Sequence, residues 1–440
     1  MPKKFAFIGA GSVVFTRSLV RDILSFEAFH DATIALMDID AERLKESLTI
    51  LEAIQKGKGG GGRLTTYCGV ENRKEALRGA SFVVNAIQVG LYEPCTVTDF
   101  EVPKKFGLRQ TIGDTLGIGG IMRALRTIPV MEDFTRDMEE VCPDALFLNY
   151  TNPMAMLSGY LQRYTPIRTI GLCHSVQSCS STVLAECGME DRAPGRRDLI
   201  AGINHMAWLL KIYDKDGNDL YPEIRRRAPE KLAEPDFKDK VRFEYIRRLG
   251  YFCTESSEHN AEYNPYFIKP GREDLIEKYN IPLDEYPRRC IKQIADWKDQ
   301  YAEMCRTGVL EHERSHEYGS YIMDAIVSDR PYKFGGNLIN RGAIENLPQD
   351  ACVEVPCLAD GTGIHATIVG ALPEQLAALN RTNINPQLLT IEAAHTRKRE
   401  TVYQAAMLDP HTAAQLDPDQ IVAMVDALIE AHGDWLPKFH

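Results

Sequence analysis

The sequence predicts an α/β protein in which a parallel sheet, covered by helices, is followed by a mixed α+β domain. Two observations predict this arrangement. Up to about residue 195, short apolar runs alternate with amphipathic helical patterns, and the runs end in glycine or polar residues. Beyond that point the alternation weakens, and charged stretches punctuated by proline appear. We therefore predict a Rossmann-type domain over residues 1–195 and an α+β domain over residues 196–440, as in lactate and malate dehydrogenases.

Composition argues against several classes of partner. The chain carries 51 basic and 62 acidic residues, a net charge of −11, with no long basic run, so nucleic acid is not expected. No apolar run approaches the roughly 20 residues that span a bilayer, and the N-terminus lacks the apolar stretch of a signal peptide. Eleven irregularly spaced cysteines suit a reducing compartment better than a disulfide framework. We expect a cytoplasmic protein that acts on small molecules.

The N-terminal segment carries the order of a dinucleotide-binding unit. The apolar run at residues 5–8 leads into a glycine turn at residues 9–12, and a helical pattern and a second apolar run, 33–37, precede Asp38. In such units the acid at the end of the second strand accepts hydrogen bonds from the adenosine ribose. Val14 stands where the motif has a third glycine, so the glycine pair alone is a weak signal. The strand, the helix and the acid around it make the dinucleotide-binding prediction stronger. An acid at position 38 would repel the 2′-phosphate of NADP, which favours NAD.

Later segments of this domain add candidate ligand-binding positions. The apolar run at residues 81–87 reads as a buried strand, and Gln88 at its carboxyl end should reach the cofactor crevice. A glycine-rich turn at residues 114–120 precedes a helix predicted to begin near Ile121. Its backbone amides suit an anionic or polyhydroxy ligand, but a tight turn that needs positive φ explains the glycines equally well. After the strand at 145–148, Asn152 offers either a carboxamide for sugar hydroxyls or an ordinary turn before proline.

A thiol and two imidazoles follow predicted strand ends. The apolar run at residues 169–172 gives way to Cys173 and His174, and His205 lies 32 residues beyond Cys173. Thiolate and neutral imidazole are both good ligands for a divalent transition metal. Taken alone the pair is also compatible with a packed thiol and a hydrogen-bonded core histidine. Further along, residues 250–263 contain many side chains that can carry protons. The sequence also predicts one long helix over residues 272–306 and a helical region over residues 382–407.

Together these motifs resemble glycoside hydrolase family 4, the NAD- and manganese-dependent glycosidases, and within it the α-galactosidase type. The resemblance runs essentially end to end and includes segments 7–12, 92–101, 119–129, 152–153, 173–177, 201–207 and 431–437. The form Cys-His-Ser-Val at residues 173–176 is associated with α-galactosidases, whereas phospho-glycosidase members carry Cys-Asp or Cys-Asn there. The resemblance therefore argues against a 6-phosphorylated substrate.

The resemblance implies hydrolysis of terminal α-galactosides such as melibiose by an oxidation–elimination route. In that route NAD⁺ would take a hydride from sugar C3, and Mn²⁺ would act as a Lewis acid on the C2 and C3 oxygens while a base removes the C2 proton. The leaving group would then depart, water would add, and the hydride would return to the sugar. In this reading the NAD site comprises Gly9, Gly11, Ser12, Asp38 and Gln88. The metal ligands are Cys173 and His205, and Asn152 binds substrate.

The proton-transfer residues follow from the same resemblance. His174 occupies the position of an acid in related enzymes and is the candidate proton donor to the leaving oxygen, a role that suits an imidazole near neutral pH. For the base, His259 is the first candidate, followed by Tyr263 and then Glu258.

Other functions stay open from the sequence. An α-galacturonidase or α-glucuronidase would need a cationic group facing the C6 carboxylate. A hydroxy-acid or polyol dehydrogenase would consume NAD⁺ stoichiometrically. A non-catalytic NAD-binding sensor would leave the thiol–imidazole pair unexplained. A homodimer or homotetramer is expected from the resemblance.

Overall fold

The computed structural model describes residues 3–57, 61–307, 314–315 and 317–440. Within them one sheet contains twelve strands, in the order β3-β2-β1-β4-β5-β6-β10-β11-β7-β8-β9, with β12 paired to β11. The strands are β1 (Lys4–Ile8), β2 (Thr33–Asp38), β3 (Arg63–Cys68), β4 (Phe82–Asn85), β5 (Leu146–Asn149), β6 (Thr169–Gly171), β7 (Arg197–Ile203), β8 (Met206–Tyr213), β9 (Phe252–Cys253), β10 (Tyr332–Ile339), β11 (Cys352–Asp360) and β12 (Gly363–Ala366).

The first six strands are parallel, and their order is that of a dinucleotide-binding sheet. The short apolar runs form these strands because both faces of the sheet are covered, which buries nearly every residue of β1, β4 and β5. The predicted α/β class and Rossmann-type sheet are confirmed. Because parallel strands end at one edge, the residues after β1, β2, β4, β5 and β6 share one crevice.

The second half of the sheet is antiparallel. Strand β10 continues the sheet from β6 through the pair Asn337 and Gly171, and β11, β7, β8 and β9 extend it further. The sheet is therefore continuous past residue 195. The domain boundary proposed there stays a prediction, and it lies just before β7.

Helices cover the sheet and fill the α+β half. They are α1 (Val13–Ile23), α2 (Ala41–Gly57), α3 (Arg73–Leu77), α4 (Val97–Lys105), α5 (Gly117–Val141), α6 (Met154–Tyr164), α7 (Ser175–Glu186), α8 (Tyr221–Ala233), α9 (Lys240–Leu249), α10 (Ser257–Ala261), α11 (Glu273–Lys278), α12 (Glu285–Thr307), α13 (Tyr318–Ser328), α14 (Glu374–Thr396), α15 (Arg399–Leu408), α16 (Pro410–Ala413) and α17 (Pro418–His432). Short helical turns span Glu27–Phe29, Val70–Asn72, Leu91–Thr96, Glu190–Arg192 and Gly433–Trp435. None of the described helices is both long and apolar enough to cross a membrane.

Two predicted helices differ from the structure. The single helix expected over 272–306 is divided into α11 and α12, because Asn280 and Asp284 adopt left-handed φ of 51° and 58° around Pro282. The helical region expected over 382–407 begins earlier, at α14, and a left-handed Arg397 (φ 59°) separates α14 from α15. Both predictions followed the helical pattern and missed the breaks.

The glycine-rich turn also differs in detail. Helix α5 begins at Gly117, which has a φ of 73°, before the predicted start at Ile121. A β-carbon on Gly119 would collide with the carbonyl oxygen of Gly113, and one on Gly120 would lie 2.6 Å from the Thr115 carbonyl. Gly117 thus has the positive φ that the tight-turn interpretation expected, whereas close backbone packing accounts for Gly119 and Gly120.

A buried ionic network holds the C-terminal helix α17 to the nucleotide-binding half. Asp99 of α4 accepts two hydrogen bonds from the guanidinium of Arg126, at 3.2 and 2.6 Å. The Nε2 atom of His432, at the end of α17, lies 2.8 Å from the same carboxylate. All three side chains are nearly inaccessible to solvent. Arg126 also donates to the carbonyl of Val89 in the loop after β4, so the network supports one wall of the crevice.

Candidate active site

Three potential metal ligands converge at the carboxyl edge of the parallel strands. Cys173 follows β6, His205 lies in the turn between β7 and β8, and Glu255 follows β9. One ligand atom from each, the thiol sulfur, an imidazole nitrogen and a carboxylate oxygen, lie within 4.8 Å of one another. The Nε2 atom of His205 is 3.7 Å from Oε2 of Glu255. The structure therefore brings together the two predicted ligands and adds a third residue that the sequence analysis did not single out.

The His205 ring is buried and oriented by Tyr263. Its Nδ1 atom lies 3.3 Å from the Tyr263 hydroxyl, which leaves Nε2 directed toward the cluster. Burial alone would lower the pKa of His205, but Cys173 and Glu255 outweigh burial and raise that pKa to about 10. A thiol and a carboxylate thus face this imidazole, and both are groups that can bind a cation.

His259 joins this cluster from the first turn of α10. Its Nδ1 atom lies 3.0 Å from the Ser256 hydroxyl and 3.5 Å from Oε1 of Glu255, and its Nε2 atom lies 3.6 Å from Oδ1 of Asp114. Its ring is 5.1 Å from that of His205 in an edge-to-face arrangement. Burial would raise the pKa of Asp114, but His259 and nearby positive charges outweigh it and hold that pKa below its ordinary value.

His174 stands beside the cluster with its own carboxylate partner. Its Nε2 atom lies 2.5 Å from Oε2 of Glu317, and the other carboxylate oxygen accepts a 2.7 Å hydrogen bond from Tyr150. The hydrogen bond to Glu317 raises the pKa of His174 above its ordinary value. The His174 side chain is 57% exposed whereas Glu317 is 7% exposed, so a buried acid holds an imidazole that faces the crevice.

The structure separates the three candidate bases. His259 and Tyr263 lie within the cluster. Glu258 is not part of the cluster, and its carboxylate instead lies 3.3 Å from Arg289. Glu255, Asp114 and Glu317 come from distant loops and were not predicted as site residues from the sequence. A carboxylate close to the end of a short apolar run was the available signal for Glu255, although many surface acids share it.

The turn after β1 has the form of a cofactor cradle. Gly9 has a φ of 82°, and a β-carbon there would lie 2.9 Å from the carbonyl oxygen of Ala86. A β-carbon on Gly11 would lie 2.7 Å from Oδ2 of Asp38. The Gly11 amide donates to that same oxygen at 2.7 Å, so the acid at the end of β2 is fixed against the turn. Ser12 is exposed at the start of α1.

Apolar and amide groups surround the cradle. Val14 and Ile39 are 52% and 73% exposed, which leaves apolar surface on both sides of the turn. Gln88 follows β4 at the same edge, and its amide nitrogen lies 3.4 Å from the Thr96 hydroxyl. The buried Oδ1 atom of Asn152, after β5, has no partner among the described residues. An unpaired buried acceptor in a crevice is a position where a ligand hydroxyl can donate.

The chain is similar to glycosidases over nearly its whole length. Residues 4–189 match the model for family 4 glycosyl hydrolases, and residues 200–412 match that for the family's C-terminal domain. An alpha-galactosidase of Bacillus subtilis (strain 168) is 56% identical over 437 residues, which cover 99% of this chain and 100% of that protein. An alpha-galacturonidase of Thermoanaerobacter italicus is 30% identical over 92% of this chain and 91% of its own length.

A solved structure shares the fold over its whole length. The 6-phospho-beta glucosidase of Thermotoga maritima, determined with manganese, NAD⁺ and glucose-6-phosphate, has a TM-score of 0.78 and 20% sequence identity. The match covers 99% of this chain and 100% of that one.

Proposed function

The chain belongs to the family 4 glycosyl hydrolases, and we propose that it hydrolyses terminal α-galactosides such as melibiose with bound NAD and Mn²⁺. The observation that carries this proposal is the meeting of Cys173 and His205 at the sheet edge that also bears the Gly9–Gly11 cradle. A metal site and a dinucleotide site that share one crevice suit a reaction that combines oxidation with acid–base chemistry at one sugar.

Both groups fit the residues present. The glycine turn, Ser12, Asp38 and Gln88 would hold NAD, because the turn leaves no room for side chains and lies at a helix start. Cys173 and His205 would hold the metal, with donor types suited to a divalent transition ion. When bound, NAD supplies a hydride acceptor for sugar C3 and the metal supplies a Lewis acid for the adjacent oxygens.

Residues of the chain itself would carry out proton transfer and substrate binding. His174 is the proposed proton donor to the leaving oxygen, supported by its exposure to the crevice and by the Glu317 contact that orients its ring. His259 is the proposed base for the C2 proton. The geometry supports His259 rather than Tyr263 as the base, because the Tyr263 hydroxyl already contacts the Nδ1 atom of His205. Asn152 would accept a hydrogen bond from a sugar hydroxyl through its unpaired oxygen.

The charge around the cluster favours a neutral sugar over a uronic acid. Arg123 lies 3.8 Å from Asp114, whose carboxylate also faces His259, so this arginine is already paired with a carboxylate. A C6 carboxylate would need an available cation to compensate for its loss of hydration. This observation supports an α-galactoside substrate.

We expect activity on nitrophenyl α-galactoside only when both Mn²⁺ and NAD⁺ are present. The enzyme is first stripped of metal with a chelator and of nucleotide by dialysis, and each cofactor is then restored singly and together under reducing conditions. Release of nitrophenol without accumulation of NADH is the expected result, because the hydride returns to the sugar in each cycle. The α-galacturonide should be the poorer substrate.

Two outcomes would contradict the proposal. Full activity without NAD⁺, after tightly retained cofactor has been excluded by extraction, would remove the redox step. Steady production of NADH would instead indicate a dehydrogenase.

The setting of the reaction is proposed as well. All eleven cysteines are free thiols, which supports a reducing compartment such as the cytoplasm. A homodimer or homotetramer remains a prediction. Light scattering in solution would measure the molar mass of the assembly.

A further inference from the structure

Glu255 has no role in the reaction as described so far. It lies in the short loop between β9 and α10, two residues after β9 ends. Its φ is +62°, a left-handed conformation that side-chain-bearing residues rarely adopt. Its side chain is 23% exposed and turns inward to the cluster rather than toward bulk water.

The Glu255 carboxylate lacks hydrogen-bond donors. Its oxygens face ring nitrogens of His205 at 3.7 Å and His259 at 3.5 Å, both longer than an ordinary hydrogen bond. No donor among the described residues lies closer, in contrast to Glu317, which is held by both Tyr150 and His174. A largely buried carboxylate without donors is unfavourable unless a cation compensates it.

The two oxygens of Glu255 are placed differently. Oε2 is directed to the Nε2 atom of His205, the nitrogen that Tyr263 leaves available, whereas Oε1 is directed to His259. A metal bound at about 2.0–2.5 Å from its ligands keeps neighbouring ligand atoms roughly 3–4 Å apart. The 3.7 Å separation of the carboxylate oxygen from the imidazole nitrogen meets that requirement.

We propose that Glu255 is a third protein ligand of the divalent metal, beside Cys173 and His205. This inference rests on the metal site of the proposed function and extends it. A carboxylate oxygen is the ligand type that Mn²⁺ prefers, and it complements the softer thiolate and imidazole. With three protein ligands, the ion would still have positions for oxygens of the sugar. His259 then orients the carboxylate from outside.

Metal affinity measured without turnover tests this assignment. Metal-free and nucleotide-free protein is titrated with Mn²⁺, and free Mn²⁺ is followed by its electron paramagnetic resonance signal. We expect Glu255→Gln to raise the Kd for Mn²⁺ by about 10–100-fold or more, because loss of metal-supporting groups has effects of that size. Glu277→Gln, which removes an exposed carboxylate from α11, is the matched control and should bind like the wild type.

A second variant and a second signal keep the result interpretable. Glu255→Asp retains the carboxylate, so it should bind Mn²⁺ more tightly than Glu255→Gln. The visible spectrum of the Co²⁺-loaded protein should change between wild type and Glu255→Gln, because it reports the coordination of the ion. Circular dichroism confirms that each variant is folded before titration.

Each outcome has a distinct meaning. An unchanged Kd and an unchanged Co²⁺ spectrum in Glu255→Gln would overturn the inference. If that variant also lost kcat, the result would point to Glu255 as a base instead. Failure of the wild type to bind Mn²⁺ at all would contradict the proposed function itself, not only the role of Glu255.

Discussion

Replacement of His205 by alanine is expected to lower kcat/KM on α-galactosides by about 10³-fold or more. The metal stabilises the charge that develops on the sugar oxygens, and each tenfold loss of rate corresponds to about 1.4 kcal/mol of lost stabilisation. His205 is buried, its Nδ1 atom contacts Tyr263, and its Nε2 atom faces the cluster, so the substitution removes one proposed metal ligand. Steady-state kinetics with saturating Mn²⁺ and NAD⁺ measure the effect.

The control and the companion variant make this prediction specific. His365→Ala removes a half-exposed histidine on β12 and should leave the rate unchanged. The double variant Cys173→Ser/His205→Ala should be no slower than the slower single variant, because residues that act as one unit are not additive. Retention of more than about a tenth of the activity by His205→Ala would contradict the assignment of the metal site.

Replacement of Asp99 by asparagine is expected to lower the free energy of unfolding by about 3–5 kcal/mol. The change leaves the guanidinium of Arg126 buried without its carboxylate, and it also removes the partner of His432. A buried charge that loses its partner keeps its full desolvation cost. Urea denaturation, followed by circular dichroism, measures the shift of the midpoint.

An apolar replacement of the same pair provides the test of mechanism. The double variant Asp99→Leu/Arg126→Met should recover most of the lost stability, since well-packed apolar groups of similar volume often match a buried ion pair. Asp133→Asn, on the exposed face of α5, is a control for loss of a surface ion pair and should cost about 1 kcal/mol or less. A loss below about 1 kcal/mol in Asp99→Asn would show that the network does not hold α17.

The parallel half of the sheet could be predicted from the sequence because its signals are local. A buried strand, the glycine turn and Asp38 follow one another closely at the start of the chain, and the structure places them at one crevice. Cys173 and His205 could be predicted for the same reason, since each lies close to the end of a short apolar run in the sequence. That the two side chains lie close together in space could be predicted only from the resemblance to the family.

The remainder depends on contacts that the sequence does not encode locally. Strand β10 joins β6 through the pair Asn337 and Gly171, which lie far apart along the chain, so the continuous sheet could not be inferred from neighbouring segments. The candidate active site likewise takes Asp114, Glu255 and Glu317 from three distant loops. Helical periodicity also persisted across residues 279–284, where the left-handed Asn280 and Asp284 break the helix.

The most direct test of the oxidation–elimination route is hydrolysis of an α-galactoside in D₂O, with the product analysed by NMR and mass spectrometry. If a base in this crevice removes the C2 proton before the aglycone departs, the hydrogen at C2 of the released galactose comes from solvent. We expect one deuterium at C2 under conditions in which both Mn²⁺ and NAD⁺ are required. Complete hydrolysis that yields galactose with its original hydrogen at C2 would contradict the oxidation–elimination route.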